Sequence, residues 1–199
     1  MKQVVFSLTF IFVMQAWLFG QFQGVITLRT SNAATTEKSD VIWTMKNAYH
    51  RMDMRSVSEQ GSLSYSLFFE PSSAQCWMLS DGNTIEIPAN HLQSQPVVHS
   101  FFFAQPTGQQ REWAGYVCQE YRLTAPNGYA LCWISTTAPT IDFPTIFKNQ
   151  GILLSLQQQR IIGTPLVAYV YDTQNNEVYN YEIVAIQSGQ VSDQQIKRP

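Results

Sequence analysis

One long β-hairpin is predicted by the stretch EWAGYVCQEYRLTAPNGYALCWIS, residues 112–135. Its turn is expected at Pro126-Asn127-Gly128, because Asn-Gly is the strongest short hairpin signal and both residues tolerate a positive φ. A two-residue loop of Asn127 and Gly128 then sets the register. The opposed pairs are Pro126 and Tyr129, Leu123 and Cys132, Arg122 and Trp133, and Tyr121 and Ile134.

The two faces of this hairpin differ in chemistry. One face is an apolar stripe suited to a core, and it consists of Val117, Tyr121, Leu123, Cys132 and Ile134. The other face carries Cys118, Glu120, Arg122, Trp133 and Ser135. On that face we expect a cross-strand cation–π pair between Arg122 and Trp133, worth about 0.5–1 kcal/mol if exposed.

Residues 1–20 are predicted to be a cleaved signal peptide. Lys2 supplies the positive start, residues 4–14 form the apolar run, and Gly20 is a small residue at the expected cleavage point. The run is short against the ~20 apolar residues that a spanning helix needs. No cysteine stands near the cleavage point, so we expect a periplasmic or secreted protein that is neither lipidated nor an integral membrane protein.

The charge excludes nucleic acid as a partner class. The chain of 199 residues has 12 basic and 14 acidic residues, and removing Lys2 leaves 11 and 14, a net charge of −3. A protein that binds nucleic acid or an anionic membrane surface is usually basic. Aromatic residues make up 13%, which fits a β-rich protein with large cross-strand contacts.

Three cysteines remain in a chain that is expected to be exported. Their number is odd, so at least one is free or pairs between molecules. Cys118 and Cys132 lie too far apart in the predicted register for a disulfide, which needs Cα atoms about 5.5 Å apart. A bridge from Cys76 to Cys118 or to Cys132 stays open.

Short strands separated by turn signals are predicted along the rest of the chain. They cover residues 22–30, 41–46, 49–55, 63–70, 75–80, 84–88, 165–171 and 177–186. This spacing indicates one mainly β domain over residues 21–190, built as an antiparallel sheet or barrel. Residues 191–199 are polar, and we expect them to fray.

Two apolar segments, residues 89–110 and 138–159, interrupt the strand pattern. Both a closed core under short helices and a mobile lid over an apolar cavity fit this pattern. The lid interpretation predicts that an apolar ligand such as an acyl chain contacts Phe101, Phe103, Phe143, Ile146, Phe147 and Leu153.

Candidates for catalysis are weak, so the sequence predicts no catalytic residue, no metal site and no cofactor. There is no Gly-x-Ser-x-Gly elbow and no His-Glu-x-x-His, and the three histidines are scattered. Arg51 and Arg55 share one strand face with Asp53. They could contact an anionic head group, or form a solvated face with a salt bridge worth about 0–1 kcal/mol.

The chain resembles a family of exported bacterial proteins, domain of unknown function 4412, whose fold looks like that of the lipoprotein carriers LolA and LolB. The matching stretches are residues 22–27, 43–55, 115–121 (Gly-Tyr-Val-Cys-Gln-Glu-Tyr), Cys132-Trp133 and 163–166. The end of the chain, 192–199, lacks the family's usual tail. The resemblance implies a curved, incompletely closed antiparallel sheet capped by one or two short helical segments, and by analogy a hydrophobic ligand or a lipoprotein as partner.

Two functions follow as hypotheses. The first is a non-enzymatic periplasmic protein that binds or carries an apolar ligand in a curved-sheet cavity. The alternative is a structural or interaction module of the cell envelope that meets a protein partner through strand edges and the tyrosines Tyr169, Tyr171, Tyr179 and Tyr181. Tyrosine is common at interfaces, although it is also a good strand former.

Overall fold

A computed structural model describes residues 22–33, 36–47, 49–59, 61–70, 76–87, 103–141 and 151–196. The predicted signal peptide lies outside these residues, as do Phe101, Phe143, Ile146 and Phe147. Within the described ranges the chain forms one antiparallel sheet of eleven strands in the order β6-β5-β4-β3-β2-β1-β11-β10-β9-β8-β7. The prediction of a mainly β, antiparallel fold with short helical segments is therefore confirmed.

The strands are β1 Gly24–Asn32, β2 Glu37–Lys46, β3 Tyr49–Ser58, β4 Gly61–Phe69, β5 Cys76–Ser80, β6 Asn83–Ile87, β7 Phe103–Trp113, β8 Tyr116–Ala125, β9 Gly128–Ser135, β10 Thr164–Asp172 and β11 Glu177–Ser188. The helices are α1 Gly151–Gln158 and α2 Asp193–Ile196. Successive strands pair with each other from β1 to β6 and from β7 to β11, while β6 and β7 lie at opposite edges. Strand β11 lies beside β1 and joins the two halves of the sheet.

The central hairpin forms, but its turn differs from the prediction. Ala125 pairs with Gly128, so the loop is Pro126-Asn127, and Leu123 faces Ala130 instead of Cys132. Gly128 has φ 151°, and a Cβ there would lie 2.0 Å from the Tyr171 carbonyl oxygen of β10. The glycine therefore serves close strand packing and not the turn.

Because of this register shift, the predicted cation–π pair between Arg122 and Trp133 is wrong. Arg122 lies over the ring of Tyr129, 3.6 Å from its centroid, while Trp133 is met by Arg111 at 5.1 Å. A shift of two residues preserves the faces of a strand. Leu123 and Cys132 are accordingly buried on the same face, as predicted, although Val117 at the far end of that face is exposed.

The two faces of the sheet can be followed through the directly opposed pairs, which share a face. One carries all four methionines of the described residues, and we call it the methionine face: Met45, Met52, Met54 and Met78. The other carries every arginine of the strands, and we call it the arginine face: Arg29, Arg51, Arg55, Arg111 and Arg122.

Strands β8, β9 and β10 carry buried side chains on both faces. On the methionine face a buried cluster of Leu123, Cys132, Val170 and neighbours is covered by α1 through Leu156. On the arginine face Cys118, Trp133 and Val167 belong to a second buried cluster. That cluster also contains Ile26, Val41 and Trp43 from the methionine face of β1 and β2.

The curvature of the sheet explains how opposite faces of its two halves share a core. The Trp113 indole at the end of β7 donates a hydrogen bond of 3.0 Å to the Ile183 carbonyl in β11. These strands are four positions apart in the sheet, and neighbouring strands are spaced about 4.8 Å. Only a strongly curved sheet can bring them into hydrogen-bonding distance.

Two predicted segments are different in the structure. Residues 103–110, expected in an irregular excursion, form most of the edge strand β7, whose irregular pairing lies between Pro106 and Gln110. The predicted fraying of the tail is wrong for residues 191–196. Val191 and Ile196 are buried, and the Lys46 ammonium lies 2.8 Å from the Asp193 carboxylate, so α2 is held against β2 and β3.

Candidate functional site: an apolar patch on the methionine face

A continuous apolar row crosses seven strands of the sheet on the methionine face. Each member is directly opposite the next, in the order Ile186, Ile26, Trp43, Met52, Leu67, Met78 and Ile85. Burial falls steadily along the row from the core to the sheet edge. Trp43 is 2% exposed and Met52 7%, Leu67 and Met78 are half-buried, and Ile85 is 52% exposed.

The outer part of this row widens into an apolar patch on β3 to β6. We define the patch by six side chains that the sheet register places together: Met54, Leu63, Tyr65, Leu67, Met78 and Ile85. Four of them are half-buried, and Leu63 and Ile85 are more than half exposed. Methionine side chains are flexible and polarisable, so they adapt to apolar surfaces of different shape.

A polar boundary closes the patch on one side. The Ser56 hydroxyl donates a hydrogen bond to the Glu37 carboxylate, and Tyr65 lies on the same face of the neighbouring strand. Burial and the Glu37 charge both raise the pKa of Tyr65 above its ordinary value. Its hydroxyl therefore stays protonated at neutral pH, and it can donate a hydrogen bond to a polar group at the end of an apolar ligand.

Arg51 and Arg55, the predicted head-group contacts, lie on the arginine face, across the sheet from the patch. The Arg51 guanidinium is 2.9 Å from the Asp53 carboxylate, donates to the Gln195 carbonyl of α2, and lies over the Phe68 ring. Arg55 is exposed. A contact with the head group of a ligand in the patch would have to reach around the sheet edge.

The predicted apolar contacts that the structure describes are not brought together. Phe103 starts β7 on the arginine face, opposite Thr124, and is 54% exposed. Leu153 is half-buried on α1, which packs on the methionine face of β8 to β10. Gln159, just after α1, accepts a 2.6 Å hydrogen bond from the Ala104 amide, which fixes the helix end to β7.

The four tyrosines of the closing hairpin divide between the two faces. Tyr179 and Tyr181 pack against the core cluster beneath α1, and burial raises the pKa of both. Tyr169 and Tyr171 lie on the arginine face, where the Tyr169 hydroxyl donates a 2.7 Å hydrogen bond to Glu182. The four residues therefore do not form one surface.

The three cysteines and His50, the one histidine among the described residues, are buried. Cys76, Cys118 and Cys132 are free and fully buried, so neither disulfide left open by the sequence forms. Burial raises the pKa of Cys76 and of Cys132 to about 12, which leaves both thiols protonated and unreactive at neutral pH. His50 is buried too, and its Nδ1 accepts a 3.1 Å hydrogen bond from the Trp43 indole.

Sequence reasoning missed the apolar patch, although a signal was present. Met52 and Met54 alternate with Arg51, Asp53 and Arg55 along β3, and that alternation separates an apolar face from a charged one. We weighed only the charged face as a site. The apolar row across β4, β5 and β6 depends on strand pairing, which the sequence of single strands does not give.

Comparisons with known proteins find similarity at the level of structure only. No family model matches the chain, and no curated protein does. A crystal structure of MucB matches with 10% identity and a TM-score of 0.48, covering 90% of this chain and 58% of that chain. The complex of Pseudomonas aeruginosa MucA and MucB gives 10% identity and a TM-score of 0.49, covering 89% and 55%.

A structure of PNGF-II matches more weakly, with 11% identity, a TM-score of 0.40 and coverage of 87% and 29%. The chain thus spans little more than half the length of the MucB chains and less than a third of PNGF-II. Similarities at this level carry no argument about activity or partners. Within the described residues, no helix is both long and apolar enough to cross a membrane.

Proposed function

We propose that this protein is an exported binding protein, not an enzyme, and that it holds an apolar ligand such as an acyl chain against the apolar patch of the methionine face. The observation that carries the proposal is the apolar row, whose burial falls from Trp43 in the core to Ile85 at the edge. A ligand on the patch would extend the buried core outward across Leu67 and Met78.

The energetics favour an apolar ligand. Covering apolar surface yields about 25 cal/mol per Å², so burial of several half-exposed aliphatic side chains would stabilise a complex by several kcal/mol. The polar boundary at Glu37, Ser56 and Tyr65 offers one place for a polar end group. The proposal of export rests on residues 1–20 of the sequence. The burial of the three cysteines supports a binding protein over an enzyme that uses a cysteine nucleophile.

The test compares two isoleucines on opposite faces. Ile85 and Ile42 are 52% and 50% exposed, but Ile42 lies opposite Asp53 on the arginine face. Binding of a fluorescent fatty acid, cis-parinaric acid, is measured for the natural chain and for Ile85→Gln and Ile42→Gln. We expect Ile85→Gln to weaken binding by about tenfold, the effect of losing one apolar contact, and Ile42→Gln to leave it unchanged.

Native mass spectrometry provides an independent check. Protein purified from the periplasm of its own cells should carry a co-purifying lipid. Apo protein that also leaves the fatty acid unbound, or equal losses with both isoleucine variants, would contradict the proposal.

A further inference from the structure

The second edge of the sheet carries a separate feature, independent of the apolar patch. Among the described residues, strand β7 lies at the edge of the sheet and pairs only with β8. Along an antiparallel ladder, every second residue directs its backbone N–H and C=O toward the neighbouring strand. In β7 the residues that bond to β8 in this way are Phe103 and Gln105 at one end and Arg111 and Trp113 at the other. Both turns that flank β8 have two residues, and their closing pairs, Trp113 with Tyr116 and Ala125 with Gly128, agree with this assignment. The residues in between direct their backbone groups away from β8, toward the open edge: Ala104, Pro106, Gln110 and Glu112.

The two halves of this edge differ in whether their outward backbone groups are available for hydrogen bonds. Near its start the Ala104 amide is bonded to Gln159, and Pro106 has no amide hydrogen to offer. Such capping and proline are devices that keep an edge from pairing. At Gln110 and Glu112 the described part of the chain supplies no partner for the outward backbone groups, and both residues are exposed.

Arg111 lies between these two residues and faces the arginine face. Its guanidinium stacks on two indoles at once, 5.1 Å from the centroids of both Trp113 and Trp133. No carboxylate of the described residues lies within 4 Å of this exposed guanidinium. Arginine and tryptophan are the residues most enriched at the energetic centres of protein interfaces.

We propose that β7 residues 110–113 bind an extended peptide segment of a partner protein by strand addition, and that the segment places an Asp or Glu side chain opposite Arg111. The outward groups of Gln110 and Glu112 supply four backbone hydrogen bonds, which fix an extended conformation but no sequence. The Arg111 guanidinium makes the site selective for an acidic residue. The peptide side chain directly opposite Arg111 lies on the same face of the sheet, and a carboxylate at that position forms a charge-assisted pair with the guanidinium. Pairing of the β7 edge with a second copy of this chain is the competing possibility, and it would contradict the proposal.

The test uses two synthetic peptides, acetyl-TVTETVT-amide and acetyl-TVTQTVT-amide, titrated into the 15N-labelled full chain and followed by NMR. We expect the glutamate peptide to bind about tenfold more tightly than the glutamine peptide, with the largest amide shifts at Gln110 and Glu112. Glu112→Pro removes an outward amide and should abolish binding, while Glu112→Gln, which keeps that amide, should retain it. Arg111→Gln should remove the preference for glutamate, whereas Arg122→Gln, on the same face, should not.

Circular dichroism verifies that each variant folds before it is scored. No binding of either peptide, or equal binding by Glu112→Pro and Glu112→Gln, would overturn the proposal. Sedimentation provides the remaining arm. A dimer of the natural chain that Glu112→Pro dissociates would also overturn it, because the occupant of the edge would then be a second copy.

Discussion

Strands β8 to β10 and strands β4 to β6 belong to one sheet, yet they use their faces in different ways. In the first region both faces contribute buried side chains, one to the cluster under α1 and one to the core shared with β1 and β2. In the second region the methionine face is only half-buried and grades to exposed at Ile85. The comparison teaches that the first region supplies most of the buried core and that the second leaves apolar surface exposed to solvent.

The largest difference is expected from one substitution made in each region. Leu123→Ala empties a fully buried site beneath α1 and should cost about 2–5 kcal/mol in the free energy of unfolding. Leu63→Ala, at a side chain that is 54% exposed, should cost no more than about 0.5 kcal/mol. Urea unfolding measures both. Equal losses would mean that the patch is as much a part of the core as β8.

Alkaline pH should destabilise the protein through the buried thiols. The ordinary pKa of 9.0 rises to about 12 for Cys76 and Cys132 in the folded state. Above pH 9 the unfolded chain releases these protons while the folded chain keeps them, so the free energy of unfolding should fall as pH rises from about 9 to about 12.

Cys132→Ala removes one of these thiols, so the fall in stability with pH should become shallower in this variant. Denaturant titrations at pH 8, 9 and 10 follow the effect. A free energy of unfolding that rises from pH 8 to pH 10 would contradict the prediction. An identical dependence on pH in the natural chain and in Cys132→Ala would rule out the Cys132 thiol as a cause of the fall.

Hydrogen exchange should separate the two regions amide by amide. The amides of β9 lie beneath two buried clusters, so their exchange requires the most global opening. The amides of β6 lie on a five-residue edge strand with mostly exposed side chains, and we expect them to exchange at least about tenfold faster. Mass spectrometry of peptic fragments resolves the two strands. Equal protection would argue against a stability gradient across the sheet.

The smallest effect concerns the contact of α2 with the sheet. The Lys46–Asp193 ion pair is partly exposed, and such pairs contribute about 0–1 kcal/mol. Asp193→Asn should therefore lower the free energy of unfolding only within that range, while Ile196→Ser, at a buried side chain, should release α2 and speed exchange there. If Asp193→Asn alone exposed the helix, the ion pair and not apolar burial would hold it.

Much of the fold was predictable from local patterns. The alternation of apolar and polar residues gave the strands of β1 to β6 and β8 to β11, and an even error in register left the faces of the central hairpin intact. The turn was predicted one residue too late. A glycine at position 128 fits either a turn or a close approach to β10, and only the position of Tyr171 decides between the two. Long-range packing of that kind leaves no local signal.

The ends of strands and the candidate site were harder to predict for the same reason. Strand β7 contains Pro106 and Gly108, which are signs of a loop, but at an edge strand proline costs no ladder hydrogen bond when its nitrogen faces outward. The tail 191–196 is mostly polar, and its only buried side chains are Val191 and Ile196. The apolar patch required the order of strands β3 to β6, since its members come from four strands.

The most direct test of ligand binding on the patch uses the four methionines of the methionine face as reporters. The chain is labelled with 13C at the methionine methyl groups, and the signals are assigned by Met→Leu substitution and followed as palmitate is added. We predict saturable shifts that are largest for Met54 and Met78, which are half-buried in the patch, and smallest for Met45, which is buried in the core. Unchanged methyl signals at saturating palmitate, or shifts confined to Met45, would contradict the assignment of the patch as a ligand site.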